Sequence, residues 1–415
     1  MYTERIKALV DTYYDEAVKI RHHIHKYPEL SFQEENTAKL IEETLTKCGI
    51  KHKRLFNTGV VGLIEGAKSG KTVLLRADMD ALEMDEESDC EYKSHIPGVM
   101  HSCGHDGHTA GLLLAAMVLN DMKDLLCGNV KLMFQPGEET DGGALPMIEE
   151  GVLENPKVSA AFGCHLWGSI EEGKVMFKSG ALMASPDDFE VKFEDSRVHS
   201  DVPIDSDLNL VSLAADIING FQSIVSRRKS PTEPAVISVC SIHGGHSEHC
   251  GIDGKSILDS VEFKGTVRSF DGKMREWFCE EMGNLVMNIT EYVNLTGCGI
   301  TSKFDFHFGY PPLINDEKMT TLAKASAAKV VGEENAGYMK EPNMGGEDFA
   351  YLCERVPSSF FFVGITKDKD CPVIHHNSQF SFDDKVLKIS ASCLSQTAID
   401  FLNNTQSAND LSSAI

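Results

Sequence analysis

No apolar run in this 415-residue chain reaches the length a membrane-spanning helix needs, roughly 18 residues. Basic residues are scarce beside acidic ones: 39 Lys and Arg stand against 63 Asp and Glu, a formal net charge of −24. Nucleic acid and anionic membrane surfaces repel such a polyanion, so neither is an expected partner. The start, MYTERIKALVDTYYDEAVKI, alternates charged and apolar residues and lacks the features of an export leader, so a cytoplasmic location is expected. Internal repeats are absent, and so is the paired CxxC spacing of structural zinc modules. The 12 cysteines are therefore expected as reduced, mostly buried thiols and not as a disulfide framework.

What is present is an ordinary globular composition, 42% hydrophobic and 25% charged. The length exceeds what one core holds, so two domains are expected. Ile6, Leu9, Val10, Tyr13, Ala17, Ile20 and Ile24 form one helical stripe over residues 3–25. Pro28 ends it, and Ser31 with Glu34 reads as a capping box opening a second helix to about Cys48. Val73–Leu75, Val130–Phe134, Ala160–Phe162 and Phe360–Val363 read as strands buried on both faces, with helical stretches among them, notably Thr109–Leu126. This alternation predicts an α/β fold, a largely parallel sheet flanked by helices. The middle differs. Strand patterns at Phe189–Phe193, Val236–Ile242, Val261–Val267 and Thr301–Phe306, with helical Leu210–Val225 and Lys273–Val293, give the order β-α-β-β-α-β. That order predicts an inserted ferredoxin-like α+β domain over 187–309, between the two parts, 1–186 and 310–415, of the larger domain. The tail Ser407–Ile415 is expected to be disordered.

Three buried strands run into chemistry-bearing segments: Arg76-Ala77-Asp78-Met79-Asp80, Gln135-Pro136-Gly137-Glu138-Glu139 and Gly163-Cys164-His165. Ligand sites of open α/β sheets lie beyond the carboxyl ends of the strands. The segment His101-Ser102-Cys103-Gly104-His105-Asp106-Gly107-His108 adds a thiol and three imidazoles just ahead of a helix. One histidine in such a loop is usually a solvated cap residue; four metal-capable side chains in eight residues reverse that expectation. A thiolate can bridge two cations, and imidazole suits Zn, Ni, Co or Mn. Glu138 and Glu139 follow an apolar strand and a Pro-Gly turn, which limits their exposure. Glu139 is expected as a ligand and Glu138 as the base that takes a proton from metal-acidified water. In Ile374-His375-His376-Asn377 either histidine could coordinate, and spacing does not choose between them.

These strings resemble the M20 metallopeptidase superfamily, in particular its branch of N-acyl-amino-acid amidohydrolases, hippurate hydrolases and indoleacetyl-amino-acid hydrolases. RHHIHKYPELSFQE, LLRADMDAL, GVMHSCGHDGHTAGLL, FQPGEETDGGALPMIEEGVL, SIVSRRKSPTEPAVISVCSIHGG, KGTVRSF, NMGGEDFAY and IHHNSQFSFDD carry the resemblance from about residue 21 to residue 384. It implies two divalent metal ions (Mn, Zn, Co or Ni) held by Cys103, His105, Glu139, His165 and His376. His376 is preferred to His375 because the family ligand lies two residues before a usual proline, where this chain has Ser378. Glu138 matches the general base, and Asp78 and Asp80 match positions that orient imidazoles. The insert resembles a lid that carries the dimer contact, implying a homodimer or larger homo-oligomer.

The lid departs from the family pattern. His199 matches a histidine that polarises the scissile carbonyl, but Arg197-Val198 replace two glycines, and extra residues lie between His249 and Lys255. Arg268 is a candidate for gripping a substrate carboxylate, with a surface ion pair as its alternative. Gly345 and Gly346 are expected to line the pocket. The expected activity is metal-dependent hydrolysis of N-acyl amino acids. The alternatives are a metallo-dipeptidase or carboxypeptidase acting on short peptides, and a non-catalytic metal-binding assembly protein.

Overall fold

The structure of the chain, a computed structural model, describes residues 2–195, 209–244, 260–295 and 297–412, from residue 404 onward by backbone alone. Its contacts divide it into two units. One comprises Met1–Leu182, Ile314–Pro342 and Asp348–Ile415; the other comprises Met183–Leu313 and Asn343–Glu347.

The first unit is α/β. Its eight-stranded sheet runs in the order Lys51–Arg54, Val60–Glu65, Cys127–Gln135, Lys68–Asp78, Val158–Glu171, Ser358–Thr366, Val175–Phe177, Ala336–Tyr338. The four central strands from Cys127–Gln135 to Ser358–Thr366 are parallel, and antiparallel pairings flank them. These four are the strands read as buried on both faces, and Val73, Leu74, Leu75, Phe134, Phe162 and Phe360 are indeed sealed from solvent. Helix α1 (Tyr2–Lys26) packs on α3 (His105–Asp121) and on the C-terminal helix Val386–Ser412, while α2 (Glu35–Lys47) covers the Lys51–Arg54 edge. Ala110–Leu119 of α3 are all buried, as an all-apolar helix requires.

Four local expectations are corrected. Ser31 and Glu34 form no capping box: Glu34 makes no cap bond, and the Glu29 carboxylate instead accepts from Asn36 N–H (3.0 Å) and Thr37 N–H (2.8 Å). Helix α3 starts at His105 and not at Thr109, so its histidines sit in the first turn. The strand carrying His165 continues to Glu171, so His165 lies within it and not at its end. The C-terminal helix runs on to Ser412, through most of the tail expected to be disordered.

The second unit has four strands, Ser185–Asp195, Ala235–Gly244, Ser260–Ser269 and Ile300–His307, arranged second-third-first-fourth and all antiparallel. With helices Leu210–Ser223 and Gly272–Asn294 this is the ferredoxin-like order. Asn209 and Asp271 cap the two helices through their side chains. Phe189, Phe193, Phe221, Phe263 and Phe278 fill the core. A buried ion pair, Arg275–Asp187 (2.6 Å), receives Gly309 N–H (3.0 Å) as well and ties the helix to both ends of the insert.

Candidate metal centre

The parallel register places Asp78 beside Gln135, and Arg76 opposite Gly163, so the Asp78 strand stops at the level of His165. The His165 strand runs on past a neighbour that has ended. Its Leu166 N–H, left without a ladder partner on that side, donates to Nε2 of His108 (2.9 Å). His108 then carries its proton on Nδ1 and donates to Asp78 (2.6 Å). Both its nitrogens are spent, so His108 is a strut between helix α3 and the sheet.

His105 and His165 are set differently. Nδ1 of His105 donates to Asp80 (3.1 Å), and Nδ1 of His165 donates to the Leu166 carbonyl (2.7 Å). Each imidazole is thereby locked with its Nε2 lone pair outward, the arrangement a metal ligand needs. Nε2 of His165 lies 3.4 Å from Cys103 Sγ, and Nε2 of His105 lies 3.7 Å from Glu139. His376 Nε2 lies 3.3 Å from the same Glu139 oxygen. The ligand atoms of Cys103, His105 and His165 are all within 4.8 Å of one another, as are those of Cys103, Glu139 and His376. Cys103 is common to both groups. Glu138, nearly buried, joins His105 and Glu139 in a third group of that kind.

Asp80 organises two ligands at once. Besides His105 it accepts Glu139 N–H (3.0 Å) and the Ser31 hydroxyl (2.7 Å). Glu34 accepts Gly137 N–H (2.9 Å), holding the turn that presents Glu138 and Glu139. The two residues read as a helix cap thus serve the site instead. Gly137 has φ +66°, and a Cβ there would lie 2.3 Å from the Phe32 ring, so the turn admits no side chain.

The donor set suits cations on its own chemistry. Nε2 of His105 is buried without a hydrogen-bond partner. Burial first, then the Glu139 and Glu138 carboxylates, push the Cys103 thiol far above its usual range. A divalent cation would give the His105 lone pair its partner and would favour the thiolate of Cys103.

The sequence left His375 and His376 open. His375 accepts Gly168 N–H at Nε2 (3.0 Å) and packs on Trp167, whereas His376 faces Glu139. His101 is buried with neither ring nitrogen hydrogen-bonded, and burial lowers it to about 4. In the second unit, Arg268 lies half-buried on Ser260–Ser269. Gly345 N–H donates to Asn343 (2.6 Å), and a Cβ on Gly346 would meet Pro186 at 2.6 Å, so the close approach there is to the protein's own chain. His199, Arg197, Val198, His249 and Lys255 lie outside the described residues.

Two networks were not read from the sequence. Arg76, fully buried, bonds Asp78 (2.6 Å), Asp348 (2.7 Å) and Gln135 (2.8 Å). His25 of α1 lies between Asp106 (2.9 Å) and Glu86 (3.2 Å), and Arg21 adds a second cation to Asp106 (3.1 Å). An arginine inside an otherwise apolar strand was the available signal for the first, since buried charge must be paired. Nothing local marked the second.

Residues 74–400 match the model of peptidase family M20/M25/M40. The chain is 36% identical to thermostable carboxypeptidase 1 of Saccharolobus solfataricus over 96% of its own length and 99% of that protein's. It is 35% identical to the N-acetyl-L-cysteine deacetylase of Bacillus subtilis over 94% of its length and 89% of that protein's. The solved structure of the Bacillus subtilis YxeP protein, described as a dinuclear metal-binding peptidase of family M20, superposes with a TM-score of 0.80 at 30% identity, covering 95% of this chain and 99% of that one. The fold, the extent of these matches and the hydrolases among the relatives converge: the chain belongs to peptidase family M20/M25/M40, on its amidohydrolase side, and is a hydrolase acting on amide bonds.

Proposed function

We propose that the chain is a two-metal deacylase that releases amino acids from N-acyl amino acids, with Cys103, His105, Glu139, His165 and His376 as ligands. The convergence of their donor atoms into two groups that share Cys103 carries this reading. The dinuclear description of the YxeP protein and the deacetylase name of a 35% identical relative support it. Divalent cations (Mn, Zn, Co or Ni), when bound, supply an acidified water and positive charge for the carbonyl oxygen.

The protein's own part is proton transfer and orientation. Glu138 takes the proton of the attacking water as the new C–O bond forms, then delivers it to the amine nitrogen as the C–N bond breaks. Asp78 and Asp80 are positioning residues, Asp80 through His105 and Asp78 through His108. Family resemblance supports His199 at the carbonyl oxygen and a homodimer or larger homo-oligomer formed through the second unit; guanidinium chemistry supports Arg268 at the substrate carboxylate, and the paired glycines support Gly345 and Gly346 along the pocket.

A second reading, cleavage of short peptides as a carboxypeptidase or dipeptidase, is favoured by the carboxypeptidase name of the 36% identical relative. Metal-free protein reloaded with each cation in turn is assayed on an N-acetyl amino acid and on a dipeptide. Deacylation is expected to dominate. A preference for the dipeptide replaces the first reading with the second, and inactivity on both with every cation rejects the two together.

A further inference from the structure

The loop that carries His376 is tied once at that residue, whose N–H donates to the Ser102 carbonyl (2.9 Å). The side chain is half exposed, and the backbone sits at φ +54°, a region that residues other than glycine rarely occupy. No proline follows Pro372 in the chain to stiffen this stretch. A second constraint comes from elsewhere in the first unit. Glu87 N–H donates to the Ser378 carbonyl (2.9 Å), the Ser378 hydroxyl donates to Glu87 Oε2 (2.7 Å), and the Gln379 side-chain amide donates to the Glu87 carbonyl (3.0 Å). One residue makes three hydrogen bonds to the two residues that lie just beyond His376 and Asn377.

Glu87 is itself well anchored. Its neighbour Glu86 pairs with His25 (3.2 Å) and accepts Ser94 N–H (2.7 Å). His25 donates onward to Asp106 (2.9 Å), the residue after His105. Helix α1 is therefore the common abutment for both halves of the metal centre.

We propose that Glu87 is a positioning residue for His376, holding it against Glu139 through Ser378 and Gln379. The proposal rests on the two-cation reading above. His376 belongs to the group with Cys103 and Glu139, whereas Cys103, His105 and His165 form a group that does not use this loop. Loosening the loop weakens one cation position and spares the other.

Calorimetric titration of the metal-free full chain with Mn or Zn tests this. The variant pair Glu87→Ala with Gln379→Ala removes two of the three bonds and no ligand; Glu87→Gln keeps an acceptor for Ser378 and serves as the conservative control. Wild type is expected to take up two cations. The double variant is expected to bind one of them about 10–100-fold more weakly, the usual effect of removing a ligand's support, with the other unchanged. Glu87→Gln is expected to match wild type. Gln379→Ala alone, expected to give a smaller loss at the same position, serves if the double variant folds poorly. Unchanged affinity at both positions overturns the proposal, and so does an equal loss at both, which marks a merely structural effect. A wild type that binds fewer than two cations overturns the two-cation reading and this proposal with it.

Discussion

Glu138 and Glu139 are adjacent in the chain and share one turn, and the proposed function gives them different work. Asp80 fixes the backbone of Glu139, and the Glu139 carboxylate faces both His105 and His376. Glu138 shares a group with His105 and Glu139. That placement suits a base that holds a proton beside the cations without surrendering its own lone pairs to them. Glu138→Ala is expected to lower kcat by about 10²–10⁴-fold, the usual contribution of a general base, with metal content unchanged. Metal analysis and steady-state kinetics on the same sample check this, and full activity removes Glu138 from the mechanism. The sequence made these single residues legible because thiol, imidazole and carboxylate are rare side by side after apolar strands. Residue pattern alone did not separate His108 from His105, which only the family resemblance did, since the distinction lies in which Nε2 meets the Leu166 N–H across the sheet.

Between residue and fold, the elements that matter are the turn 136–139 and the first turn of α3. The turn has no room for a side chain at Gly137, where φ is +66° and Phe32 blocks the Cβ direction. Gly137→Ala is expected to cost at least about 2 kcal/mol, from left-handed strain and overpacking together. It should also weaken cation binding, because the same turn aims Glu139. Urea unfolding gives the first quantity and chelator competition the second; adding Phe32→Ala recovers part of the steric loss if the ring is the obstacle. An alanine variant as stable as wild type shows that the turn can relax. Strand cores, helix stripes and the β-α-β-β-α-β order were readable because burial imposes a period on the residues. The start of α3 was misread for a physical reason: His105 and Asp106 are polar residues in a helix, tolerated inside because Asp80, His25 and Arg21 satisfy them. The supposed capping box failed likewise, because Ser31 and Glu34 found partners far away in sequence, Asp80 and Gly137.

For the whole molecule, the link between helix α1 and the metal-bearing segments predicts a pH signature. Burial disfavours the His25 charge, but Asp106, then Cys90 and Glu86, outweigh it and raise its pKa from 6.5 to about 11. Folding raises this pKa, so the stabilisation is complete below pH 6.5 and is lost as pH climbs to about 11. Glu86 runs the other way. Burial opposes its charge, His25 and Ser88 prevail, and its pKa falls from 4.5 to about 2, so its share is present above pH 4.5 and fades on acidification toward 2. The stability difference between wild type and His25→Gln, read by urea unfolding, is therefore expected to shrink steadily from pH 6.5 to 11. A difference that stays constant over that range dissociates His25 from the alkaline limb.

Helix α1 also packs along the final helix, where Thr3 bonds Gln396 (2.8 Å) and Lys388 pairs with Asp11 (2.6 Å). Helix α1 thus has, besides α3, a partner 393 positions further along the chain. At ordinary translation speeds the part of its apolar stripe that faces this partner goes uncovered for tens of seconds, on the order of 5–20 residues being added each second. Until those residues emerge, that part of the stripe is an open target for any factor that captures apolar helices.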